Sequence, residues 1–215
     1  MISKIRICLL LLLATFGAQA EEIVTVLDRR EIVLEPAPIS PGNELRLTLA
    51  YLDGSGWTPE AIVGAAKEGA RILGQCGLAM KTAELVRIAA PIRFHDFLTP
   101  VSQELAATLR LGRPTVYFVS GTRQRPAFDA EAIGRGNSRT RPELADSIWI
   151  TRGTRDLGIA LAHELAHVLM DSGEHSAEPI NLMREDTAPG NTRLSDRQCE
   201  QLRSTGLANG LLKPL

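Results

Sequence analysis

Apolar and polar positions follow two rhythms along this chain, one of period two and one of period near 3.6. LRLTLAYL (45–52) alternates and predicts a strand. After the loop DGSGW, Thr58 can cap a helix with Pro59 in its first turn. The body runs through AIVGAAKEGARILG, and Gly77 ends it. LAMKTAELVRI (78–88) predicts a second strand, Ser102 to Leu109 a short helix, and PTVYFVS (114–120) a strand rich in β-branched and aromatic residues. Residues 121–146 look like loop, with a short strand near Ala130–Ile133. SIWIT (147–151) predicts another strand, and residues 155–171 a helix. Ser195 is the expected N-cap of a last helix with its body at Arg197–Arg203. The rhythm thus predicts an α+β domain over residues 45–215, with no internal repeat.

The first 44 residues have a different character. Lys4 and Arg6, an apolar run from Ile7 to Phe16 and then Ala18-Gln19-Ala20 give the order of a secretory signal peptide. The run is too short to cross a bilayer, which takes roughly 20 apolar residues. Residues 1–20 are therefore expected to be removed, leaving a secreted or periplasmic chain with no membrane anchor. Residues 21–44 are read as an N-terminal extension: EEIVTVLDRREIVL is strand-like, and PAPISPGN is a proline-rich linker. A cysteine-based inhibitory pro-segment is not available there, because residues 21–44 hold no Cys.

Composition changes this picture little. With 215 residues, one domain is the default, and 44% apolar and 23% charged residues are ordinary for a globular chain. A net charge of -1 gives no electrostatic case for nucleic acid or anionic lipid. A monomer is the default expectation. The cysteines say more. Loss of Cys8 with the signal leaves Cys76 and Cys199, an even pair expected to bridge in an oxidising compartment.

The chemistry lies in HELAHVLMDSGEH (163–175), which holds three of the four histidines. At 100° per residue, His163 and His167 lie about 40° apart on one helix face, so both rings can point at one ion. Leu161, Leu165, Val168 and Leu169 lie on the opposite side and predict a core face. The helix is apolar nearly all round and should be buried. Two buried imidazoles and the Glu164 carboxylate then need partners, and a metal satisfies all three. Zinc takes three protein ligands in catalytic sites. His175 is the leading candidate for the third, folded back by a left-handed turn at Gly173. Asp171, as ligand or as acceptor for a ligand N–H, and Glu178 or Glu185 stay open as alternatives. His95 is read as structural or surface. Arg123, Arg125, Arg135, Arg139 and Arg141 are read as a solvated loop, with a preference for acidic substrates as the sharper alternative.

HExxH, a glycine turn, a late third His and then Asn181-Leu182-Met183 together resemble the metzincin clan of zinc peptidases. The resemblance spans roughly residues 45–205, and its specific part is 163–183. It implies a zincin-like fold: a twisted mixed sheet, an active-site helix and a C-terminal helix. It implies a methionine turn, with Met183 as an apolar floor beneath the metal. It further implies one zinc ion on His163, His167 and His175, and an exported endopeptidase acting on peptide or protein substrates. Glu164 would be the general base toward a zinc-bound water. An edge strand between Ala130 and Arg139 would hold extended substrate by strand addition. The chain departs from the common clan spacing: Met170 and Gly173 stand where Gly and the third His are usual, and Arg184 follows Met183 in place of Tyr. A zinc-binding domain that holds peptide with little turnover is the alternative this departure leaves.

Overall fold

A computed structural model describes residues 23–34 and 42–215. The expected signal peptide and most of the PAPISPGN linker lie outside the described residues.

The centre of the molecule is a six-stranded sheet. Its strands are β1 (Thr25–Val33), β3 (Leu47–Leu52), β5 (Thr82–Ala89), β7 (Thr115–Val119), β9 (Ala130–Ile133) and β10 (Ser147–Thr151), in the order β1-β5-β3-β7-β10-β9. The four central strands run parallel; β1 and β9 close the two edges antiparallel to their neighbours. Every residue of β3, β7 and β10 is buried, as expected where both faces of a parallel sheet are covered.

The faces are covered by different helices. On one face lie α1 (Pro59–Leu73) and α3 (Leu157–Met170), which bury Ile62, Leu73, Leu161 and Leu165 against Leu49, Leu85, Phe118 and Ile150. On the other lies α2 (Thr99–Leu109), whose Leu105 and Ala106 share a core with Leu52, Ile88, Tyr117 and Trp149. Trp149 stacks on Tyr117 at 4.2 Å between ring centroids. Burial of a large side chain of this kind stabilises a fold by about 1.5–3 kcal/mol, so these two cores fix the sheet as a rigid platform. α1 and α3 approach closely at Gly158, where an added Cβ would come within 2.6 Å of the Glu68 side chain.

Local signals account for the ends of these helices. The Thr58 hydroxyl accepts from Ala61 N–H with Pro59 beginning α1. Ser195 and Gln198 form a reciprocal capping box at the start of α4 (Asp196–Ala208). A disulfide joins Cys76, just past α1, to Cys199 in α4. Arg203 reinforces the joint by donating to the Cys76 carbonyl at 3.0 Å. A smaller sheet of β2 (Asn43–Leu45), β4 (Leu78–Ala79) and β11 (Leu212–Pro214) and a two-stranded pair of β6 (Asp96–Phe97) with β8 (Gly121–Thr122) complete the described strands. No helix of the described residues is long and apolar enough to cross a membrane.

Two differences from the sequence reading concern the N-terminal part. Residues 25–33 do not stand apart as an extension. They pair with β5 from Thr25↔Ala89 to Val33↔Thr82 and form an edge of the main sheet. The strand is mostly exposed, so its residues carry little apolar alternation, and its place is set by backbone pairing with a distant segment. Asn43 and Leu45 likewise belong to the small sheet that holds the C-terminal strand.

Candidate metal centre

α3 sets the centre. It is buried along its whole length from Gly158 to Met170, because its leucine side meets the sheet and its opposite side is covered by β9 and the segment 171–194. The helix ends at Met170, and the residue that turns the chain is Asp171, at φ 48. The expected left-handed glycine turn at Gly173 is therefore replaced by one at Asp171. A short polar side chain tolerates that conformation better than most, and here it also finds a backbone partner.

The chain then returns beneath the helix. Ser176 N–H donates to the Met183 carbonyl at 2.7 Å, and Asn181 Oδ1 accepts from Met183 N–H at 2.9 Å. This fold-back brings His175 to His163 and His167. Their ligand atoms all lie within 4.8 Å of one another, and the three residues could hold a metal ion. The longer spacing before His175 is thus accommodated by the turn at Asp171. His163 and His167 are buried and His175 is exposed.

The hydrogen bonds around the two helix histidines define their tautomers. His163 Nδ1 lies 2.7 Å from the Leu182 carbonyl, and His167 Nδ1 lies 2.7 Å from the Ser172 carbonyl. A carbonyl oxygen has no proton to give, so each Nδ1 is the donor. Each Nε2 then carries a lone pair, and these two Nε2 atoms are 2.9 Å apart. Two acceptors facing one another at that distance repel unless a cation shares them. Protonation is opposed: burial lowers the pKa of His163, and burial together with the His163 charge brings that of His167 down to about 4. A metal ion is the cation that suits two neutral imidazoles and a third beside them. The donor set therefore fits a metal of the borderline class.

Glu164 lies beside this centre. Burial, and then the charge of Glu131, push its carboxyl up to about 8, while a hydrogen bond from the Ala132 backbone N–H pulls the other way. The centre opens into a cleft of about 330 Å³, walled by Ala130 to Ala132 of β9, by Gly134, Gly136 and Asn137, and by Asp171 to Gly173. β9 is the sheet edge.

The other residues singled out in the sequence fall as follows. Met183 is buried in the main core under the fold-back, next to Leu182, whose carbonyl orients His163. Glu185 lines the cleft, whereas Glu178 lies on the far side of His175 and accepts from Asn181. Backbone carbonyls take the Nδ1–H of both helix histidines, and Asp171 turns to the loop after β9. Its Oδ1 accepts from Gly136 N–H at 2.5 Å. His95 is buried with its Nε2 3.3 Å from the Ala90 carbonyl. Among the arginines, Arg123 pairs with Asp96, Arg135 with Asp146, and Arg141 with Glu131, while Arg125 donates to the Thr122 and Gln124 carbonyls. None of the five lines the cleft around the histidines. The sequence reading missed the Ser172 and Leu182 carbonyls, which belong to the backbone and leave no side-chain signature. It also missed Glu131, whose only sequence cue is its place in the expected edge strand. No protein-family model and no curated protein matches this chain.

Proposed function

We propose that the protein is an exported zinc-dependent endopeptidase of the metzincin kind. The observation that carries this reading is the pair of Nε2 lone pairs facing one another at 2.9 Å, with His175 converging on them and Glu164 alongside. His163, His167 and His175 would hold the ion, and zinc bound there supplies Lewis acidity that polarises a peptide carbonyl and acidifies water. Glu164 takes the proton of the attacking water and delivers it to the departing amine. Burial and the Glu131 charge raise the carboxyl to about 8 in the metal-free protein, and a 2+ ion on the neighbouring histidines would draw it down toward the ionised form that a base needs. The Ala132 N–H keeps that carboxylate turned toward the cleft.

β9 offers the substrate its place. As an edge of the sheet it runs along the cleft, and an extended peptide can add to it as a further strand. The alternation of β9 supports this arrangement: Ala130 and Ala132 face α3, and small side chains there leave room for a peptide above the histidines. The Cys76–Cys199 bridge accords with an oxidising compartment outside the cytoplasm.

The test is Glu164→Gln beside wild type, with zinc content and chelator-sensitive cleavage of unfolded protein substrates both measured. The variant should keep one zinc per chain and lose activity by at least about 100-fold. Cleavage at the wild-type rate would refute Glu164 as base. Zinc bound by a wild type that cleaves nothing would instead mark a peptide-binding domain.

A further inference from the structure

We propose that Asp171 is a positioning residue that clamps the wall of the histidine cleft to the end of α3. Through that wall it fixes the edge strand β9 relative to the metal centre. The proposal concerns the same cleft, and its substrate arm rests on the peptidase reading.

Three independent features of the structure meet at this side chain. The left-handed turn at Asp171 swings its carboxylate away from the helix and toward the loop that continues β9. There Oδ1 accepts the Gly136 N–H at 2.5 Å, a charge-assisted bond. Second, the loop packs tightly against the carboxylate on both sides of Arg135. A Cβ at Gly134 would come 3.0 Å from Asp171 Oδ1 and 3.8 Å from the Val168 Cα; one at Gly136 would come 3.2 Å from the same oxygen. Third, the far side of the loop is already tied. Arg135 donates to the Asn209 carbonyl at 2.7 Å and sits 3.6 Å from the buried Asp146 carboxylate. Asp171 is the tie on the side that faces the cleft.

This clamp joins two parts of the site that have no covalent reason to keep their distance. Gly134, Gly136 and Asn137 form one wall of the cleft and follow β9 directly. Ser172, the residue after Asp171, accepts from His167 Nδ1 and donates its own N–H to the His167 carbonyl at 3.2 Å. One side chain thus links the strand that would carry the substrate to the peptide unit that orients a metal ligand. That link adds to the Ala132 N–H on Glu164 and the pairing of β9 with β10 in keeping a peptide laid along β9 in register with Glu164 and the ion.

The experiment compares Asp171→Ala, Asp171→Asn and Gly134→Ala in the full chain. Asn keeps an oxygen acceptor and tolerates the left-handed turn, whereas Ala keeps neither. Hydrogen exchange across residues 134–137 reads the clamp without reference to activity. In Asp171→Ala it should quicken about tenfold, the size expected for loss of one charged hydrogen bond. Zinc content should stay at one per chain. KM for an extended peptide should rise about tenfold more than KM for a short peptide that spans only the scissile bond, with Asn restoring both readouts to within about threefold. Gly134→Ala, which leaves Asp171 in place but pushes the wall outward, should act in the same direction, and it carries the test should Asp171→Ala fail to fold. Unchanged exchange in Asp171→Ala, equal effects on long and short peptides, or an Asn variant as impaired as Ala would each overturn the clamp. Should wild type bind zinc and cleave neither peptide, the peptidase reading falls, and exchange together with the Kd of the extended peptide decides the clamp.

Discussion

His163 and His167 reach the centre from a buried helix, whereas His175 reaches it from an exposed turn. The helix pair is held twice over. Its backbone is locked between the sheet core and the covering segment, and each ring is fixed by a carbonyl at 2.7 Å. His175 is held by the fold-back alone, through Ser176 N–H on the Met183 carbonyl and the Asn181 contacts behind it. Two of the three candidate ligands are therefore organised before any ion arrives, and the third depends on a loop whose closure an ion would reward. Metal sites of this type couple binding to local order. The difference says that affinity should rest mainly on α3, and that the freedom of the site should reside in residues 171–183.

The largest effect is expected at the helix. His163→Ala or His167→Ala should lower zinc affinity by more than about 100-fold, beyond the range of about 10–100-fold typical of losing a ligand's outer partner. Competition with a chelator of known affinity measures it. His175→Ala should cost less, about 100-fold or below, because the pair on α3 remains to hold the ion weakly. It should leave the stability of the zinc-free protein within about 0.5 kcal/mol, as befits an exposed side chain. Equal losses from His175 and from His163 would erase the distinction between the two kinds of ligand.

What could be read in the sequence follows the same division. The helix pair, its leucine core face and the caps at Thr58 and Ser195 are set by neighbours within a turn or two, and the structure has them where the pattern placed them. The Cys76–Cys199 bridge followed from there being one even pair once Cys8 is set aside. The features that were not legible depend on distant backbone. β1 takes its place by pairing with β5, not by an apolar face of its own. The turn falls at Asp171 rather than Gly173, and its carboxylate meets the Gly136 N–H from 35 residues away. The carbonyls of Ser172 and Leu182 that orient the histidines have no residue type to betray them.

The smallest effect tests how the weak ligand is held. Asn181 is buried and shares two hydrogen bonds with Gln198, whose Oε1 also accepts the Ser195 N–H in the capping box of α4. Its Oδ1 accepts from Met183 N–H, and the Met183 carbonyl in turn accepts from Ser176, next to His175. The C-terminal helix thus supports the third ligand through one side chain. Asn181→Ala should destabilise the fold by about 1–3 kcal/mol, because it leaves buried partners unmet. It should lower zinc affinity only about tenfold, acting through His175. In a His175→Ala background the same change should have no further effect on zinc, since the ligand it positions is gone. A double-mutant cycle on zinc affinity measures that coupling directly. If the two losses simply add, Asn181 supports the fold but not the ligand, and the turn holds His175 by other means.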